Sequence, residues 1–147
     1  MYVTIVEDDY YQAEMIEEDC RKEFGNIRFR RIKTEHDFRS AIDDFRNDPP
    51  DVFIIDVMLR YTDPKRDQPV PPPSVRREGS HRAGLRCRKL LAEHKNTRDI
   101  PVILYTVLEK TDLAKEIEKL PAHVLHLRKD ADRGELLDTV QRVRRRF

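Results

Sequence analysis

The sequence predicts an α/β fold, a doubly wound parallel sheet of five strands covered by five helices, and three observations predict it. Five short apolar runs recur along the 147 residues, each followed by a segment whose apolar residues repeat at three- and four-residue spacing. The runs DVFIID and IPVILYTV are almost continuously apolar, as strands buried on both faces are. Parallel strands cannot be joined by tight turns, so the intervening helices serve as crossovers.

Each element follows from its residues. Residues 4–6 (TIV) form the first strand, and Ala13, Ile16, Cys20 and Phe24 mark the buried stripe of the first helix, with Gly25 as its left-handed stop. Residues 27–32 (IRFRRI) alternate apolar Ile27 and Phe29 with arginines and read as a second strand. Thr34 can cap a second helix that buries Phe38, Ala41, Ile42 and Phe45 and ends at Pro49 and Pro50. DVFIID (51–56) is the third strand and LRCRKLLAE (85–93) the third helix. Residues 100–107 give the fourth strand, with a helix around Leu113, Ile117 and Leu120 after it. HVLHL (123–127) is the fifth strand. The last helix buries Leu136, Leu137, Val140 and Val143, and Asp132 and Glu135 sit at capping-box positions before it.

Composition narrows the class. Hydrophobic residues make up 38% and charged residues 39%, which describes one globular domain with a heavily charged surface. The 29 basic and 28 acidic residues leave a net charge of +1, so total charge points to no nucleic-acid or membrane partner. Two cysteines, Cys20 and Cys87, fall in helical patterns and read as buried thiols of a reducing compartment. No stretch approaches the roughly 18 apolar residues of a membrane span, and the N-terminus lacks a signal-peptide pattern, so a cytoplasmic location is expected. His36, His81, His94, His123 and His126 show no metal-ligand spacing.

Asp56 is the residue that calls for an explanation, because it sits between FII and VML. Burying an unpaired carboxylate is costly, so the charge is paired, placed at a strand end, or used. In a doubly wound sheet ligands bind beyond the C-terminal strand ends. Those ends carry Glu7, Asp8 and Asp9 on the first strand, Asp56 on the third, Thr106 on the fourth and Lys129 on the fifth. Carboxylates from separate strands make a hard oxygen site suited to Mg²⁺. A lysine and a hydroxyl beside such a site suit a phosphoryl group, and a carboxylate there can act as a nucleophile toward phosphorus. The alternative is a structural acid neutralised by Lys129.

The stretches IVEDD (5–9), FIIDVML (53–59), IPVILYT (100–106) and HLRKD (126–130), in this order, resemble a response regulator receiver domain of two-component signalling. The resemblance covers nearly the whole chain and implies the flavodoxin-like receiver fold. It implies Asp56 as phosphoacceptor, Asp8 as direct Mg²⁺ ligand, Glu7 as the acid that helps hold the metal through water, and the backbone carbonyl of Met58 as a further ligand. It also implies that Thr106 hydrogen-bonds a phosphoryl oxygen and that Lys129 pairs with another, or with Asp56 beforehand. Thr106 and His126 match the switch positions. The implied role is a signalling switch, not a true enzyme: Asp56 accepts a phosphoryl group from a histidine kinase or phosphotransfer protein, and the region around the last strand and its flanking helices alters contacts with a downstream protein. Homodimerisation stays open. No sequence remains for an output domain after the last helix, so a stand-alone domain is expected unless the chain is a fragment.

Several positions depart from the family pattern. Gly84 follows Asp56 by 28 residues where the family has about eight, which implies an insertion at about 60–83 within a single domain 1–147. This Pro- and Arg-rich segment is disordered or functional. If functional, it covers the acceptor, brings Arg76, Arg77 or Arg82 to the phosphoryl group, or docks a partner. Arg60 replaces the usual proline four residues past the acceptor, Asp130 the common proline after Lys129, and Val107 a small residue whose enlargement narrows access. Met58 and Leu108 occupy the positions that flank the attacking water in dephosphorylation, and being apolar they predict a slow loss of the phosphoryl group. The rival reading is a receiver-like interaction module, closed by the insertion and Val107 and independent of phosphate. A weaker third is nucleic-acid binding through the basic insertion and the arginines of the tail, whose blander role is to complement the dipole of the last helix.

Overall fold

The computed structural model describes residues 1–130 and 132–146. Five parallel strands, β1 (Tyr2–Val6), β2 (Arg28–Ile32), β3 (Val52–Ile55), β4 (Val102–Thr106) and β5 (Val124–Arg128), form one sheet in the order β2-β1-β3-β4-β5. This is the doubly wound sheet expected, and its period-two alternation builds two cores. Val6, Phe53, Ile55, Val102, Leu104 and Val124 face one side; Val3, Ile5, Val52, Ile54, Ile103 and Leu127 face the other.

Among the described residues there are seven α-helices where five are expected. The second core is closed by α1 (Tyr10–Phe24), through Ala13, Ile16 and Cys20, and by α7 (Arg133–Arg146), through Leu136, Val140 and Val143. Gly25 ends α1 at φ 75°, a conformation that suits glycine, and its N–H donates to the Arg21 carbonyl at 3.0 Å. On the first core, the expected second helix is two: α2 (Glu35–Ser40), capped by Thr34 Oγ1 accepting from the Asp37 N–H, and α3 (Ile42–Asn47). Ala41, at ψ near 0°, breaks the run while keeping Phe38 and Phe45 buried against Phe53. A further short helix, α4 (Pro73–Glu78), lies within the Pro- and Arg-rich segment, and α5 (Ala83–Ala92) follows a 3₁₀ turn at Ser80–Arg82. The next helix, α6, is only Ala114–Ile117, because bonds three residues apart, such as Glu116 N–H to Leu113 O, interrupt the α pattern around it. Leu113 is nonetheless fully buried.

Residues 60–82 are anchored to the domain at both ends, while 64–70 between them are exposed. The segment leaves after Leu59, whose N–H donates to Ser80 O, and Gly84 N–H donates to Val57 O at 3.0 Å. Carbonyls of Arg60 and Tyr61 accept from the Glu35 and His36 N–H groups, satisfying donors in the first turn of α2. Arg86 of α5 makes a bidentate pair with Glu35 at 2.8 and 2.7 Å and donates to Gly79 O at 2.9 Å; both side chains are buried. Strand β2 forms one edge of the sheet, and its arginines are tied down: Arg28 to Asp48, Arg30 to Asp44, Arg31 to Glu17. Among the described residues no helix is long and apolar enough to cross a membrane.

Candidate functional site

The strand order reverses between β1 and β3, and the crevice beyond their C-terminal ends holds the acidic residues. Asp56 directly follows β3. Its N–H donates to Val6 O at 2.9 Å, which continues the ladder with β1 and fixes the carboxylate at the mouth of the crevice. The residue is 6% exposed. Its Oδ1 accepts from the Met58 N–H at 3.0 Å and its Oδ2 from Lys129 Nζ at 2.6 Å. The same ammonium donates to Glu7 Oε2 at 2.5 Å, and Glu7 Oε1 accepts from the Asp9 N–H. One lysine thus bridges the ends of β1, β3 and β5.

Gly84 makes this arrangement possible from below. A Cβ there would lie 2.3 Å from Asp56 O and 2.7 Å from Val57 Cα, so the start of α5 seats against the backbone of Asp56 and Val57 only because the residue lacks a side chain. Asp8, less buried, turns toward solvent and accepts from Arg60 Nε at 3.3 Å. Glu7, Asp8 and Asp56 each offer an oxygen within 4.8 Å of the others and could hold a metal ion; oxygen-only donors of this kind match a hard divalent cation. Burial pushes the Glu7 carboxyl up to about 7, although Lys129 and the Asp9 amide pull the other way. For Lys129 burial pulls the pKa down, but its hydrogen bonds to Asp56 and Glu7 outweigh that and hold it above the ordinary lysine value.

The remaining sequence candidates lie around this cluster. Thr106, fully buried, ends β4; its hydroxyl accepts from the Leu108 N–H at 3.4 Å and its carbonyl from the Lys129 N–H at 2.9 Å. His126 stands apart on β5, opposite Leu104, where its Nε2–H donates to Leu108 O at 3.0 Å. Burial holds this imidazole below its ordinary pKa. The His126 and Thr106 side chains therefore meet the same short segment, at Leu108. Met58 presents its amide to Asp56 and is partly exposed, whereas Val107 is largely exposed, at 59%.

Two residues have roles that grouping the strand-end residues does not assign. Asp9, grouped by sequence with the strand-end acids, is the N-cap of α1, its Oδ1 accepting from the Tyr11 and Gln12 N–H groups. Its position just before an amphipathic run carried that signal. Arg60 is the basic residue that the 60–82 segment brings to the cluster. Arg82 instead bonds Glu116 and the Asp112 carbonyl, and Arg76 and Arg77 are exposed on α4.

No family model matches the sequence, and no curated protein does. The solved structures are informative about the fold. The chain is similar to the signal receiver domain of a signal transduction histidine kinase from Syntrophus aciditrophicus, with 21% identity over 98% of this chain and 89% of that one and a TM-score of 0.70. It is similar to the receiver domain of a sensor histidine kinase from Pseudomonas aeruginosa PAO1, with 17% identity over 97% and 96% and a TM-score of 0.69; that structure has a magnesium ion coordinated in its active site cleft. The receiver domain of a Francisella response regulator matches at 20% identity over 99% and 97%, with a TM-score of 0.67.

Proposed function

We propose that this chain, which has the fold of response regulator receiver domains, is a phosphorylation-dependent signalling switch whose acceptor is Asp56. One observation carries the reading: a buried carboxylate at the crevice of the sheet, gripped by Lys129 and the Met58 amide, faces Glu7 and Asp8 within metal-binding distance. That grouping suits phosphoryl transfer better than a purely structural charge, because the one lysine shared by Asp56 and Glu7 cannot neutralise both carboxylates, and Asp8 adds a third.

In this reading Glu7, Asp8 and Asp56, together with the Met58 carbonyl, would hold Mg²⁺, which would supply charge stabilisation for the phosphoryl oxygens. An Asp56 oxygen attacks phosphorus in line. The bond from phosphorus to the donor breaks, its electron pair leaving with the imidazole nitrogen of a phosphohistidine, which takes up a proton. Lys129 then loses its Asp56 partner and turns to a phosphoryl oxygen, while the Thr106 hydroxyl leaves the Leu108 amide for another. The segment 106–108 shifts with it, and His126, bonded to Leu108 O, carries the change to β5 and the surfaces of α6 and α7. The donor is a histidine kinase or phosphotransfer protein, and output is through a downstream protein. The domain is a phosphoryl acceptor that slowly releases its own phosphate, not an enzyme with a separate substrate.

A phosphate-independent interaction module, closed by Val107 and the 60–82 segment, is less well supported. Val107 is largely exposed, and the bonds of the segment run chiefly to α2, α5 and the α6 region. Intact mass after incubation with Mg²⁺ and acetyl phosphate separates the two. A single adduct of one phosphoryl group that needs Mg²⁺ and is lost in Asp56→Asn is expected; no adduct on a folded protein that binds Mg²⁺ would reject the switch.

A further inference from the structure

We infer that Arg60 is a resident counter-cation of the acidic crevice: its guanidinium holds Asp8 until a divalent ion displaces it, so this side chain lowers the Mg²⁺ affinity of the site by a modest factor. The inference rests on the reading of Asp8 as a metal ligand. Its basis is how the cations are distributed. Lys129 is engaged by Glu7 and Asp56, which leaves Asp8 with Arg60 Nε, 3.3 Å away, as the side-chain partner across 52 residues of chain.

The backbone fixes where the Arg60 side chain starts. Arg60 O accepts from Glu35 N–H at 3.1 Å, and the neighbouring Leu59 N–H donates to Ser80 O, so the Cα is held on both sides and only the side chain can swing. It has somewhere to go, since Asp63 Oδ1 lies 3.8 Å from Arg60 Nη1 within the same segment. Asp8 is also the most exposed of the three acids, with its side chain 25% accessible against 3% for Glu7 and 7% for Asp56, and is therefore the ligand an incoming ion meets first. An ion bound there would sit against a guanidinium charge, and the two compete for one carboxylate. Because the pair is half-exposed, the competition is modest: its loss should tighten Mg²⁺ binding about two- to fivefold, less at high salt.

Calorimetric titration with Mg²⁺ alone, at low and high NaCl, tests this on wild type, Arg60→Gln, Arg60→Lys, Asp8→Asn and a control, Arg66→Gln, whose side chain is exposed in the same segment. The expected result is tighter binding in Arg60→Gln, near wild-type binding in Arg60→Lys and Arg66→Gln, and loss of the gain when Arg60→Gln is combined with Asp8→Asn. Unchanged affinity in Arg60→Gln, or an equal gain in Arg66→Gln, would overturn the inference while leaving Asp8 as a ligand. No Mg²⁺ binding by any variant would sink both the inference and the switch reading.

Discussion

Replacing Arg86 with methionine tests what holds the 60–82 segment against the domain. Glu35 is fully buried and receives hydrogen bonds from Arg86 Nε at 2.8 Å and Nη2 at 2.7 Å, with Arg39 Nη2 also on Oε1 at 2.9 Å. Removing one partner of a buried pair costs roughly 3–5 kcal/mol, because the other charge is stranded. Arg39 still reaches Glu35, so the lower end is expected, about 3 kcal/mol, or roughly 10 °C in Tm for a chain of this size. The Gly79 carbonyl loses its donor in the same substitution, so amides of 60–82 should exchange faster than those of β1 or β3. Urea unfolding followed by circular dichroism gives the first quantity and hydrogen exchange the second. Adding Glu35→Leu removes the stranded charge and should restore most of the loss. A single variant within about 1 kcal/mol of wild type, or a double variant no better than the single, would refute the reasoning.

Other consequences are open to direct measurement. Gly84→Ala forces a methyl group into the backbone of Asp56 and Val57, and should cost roughly 1–3 kcal/mol or more in urea unfolding and slow labelling by acetyl phosphate. Glu7, raised from 4.5 to about 7, must lose a proton to help hold a cation, so Mg²⁺ affinity should rise roughly tenfold from pH 6 to pH 8 and level off above; Glu7→Gln should flatten the profile. The same raised value means that, without metal, the stability Glu7 contributes is complete below pH 4.5 and lost as pH rises through about 7, which denaturation in EDTA at pH 6 and pH 8 can check. Leu108→Asn puts a polar group where the attacking water would be held, and should speed loss of the phosphoryl group on the order of tenfold; an unchanged half-life by intact mass would count against that placement.

The strands were legible because burial on both faces leaves an apolar signature that needs no partner to be seen, and Asp56 stood out against it. Caps set by one residue, Thr34 and Gly25, were legible for the same local reason. The break at Ala41 was not, since alanine favours helix and the turn there depends on how Phe38 and Phe45 both reach Phe53. Nor could the sequence join Glu35 to Arg86 or Asp8 to Arg60, pairs separated by 51 and 52 residues, because side-chain pairing at that distance is fixed only once the sheet order is. Arg86 did leave a trace, as a charge between Leu85 and Cys87 on a helix whose opening turn is buried almost all round.

The arginine pairs along β2 bear on how copies of this chain can meet. A bare strand at the border of a sheet offers unpaired amides and carbonyls to any passing strand, and long charged side chains are a common defence. Here Arg28, Arg30 and Arg31 are braced by acids from α1, α3 and the turn after α3, so a chain docking alongside would have to dislodge them. Joining two sheets into one continuous ribbon through this border is thereby discouraged.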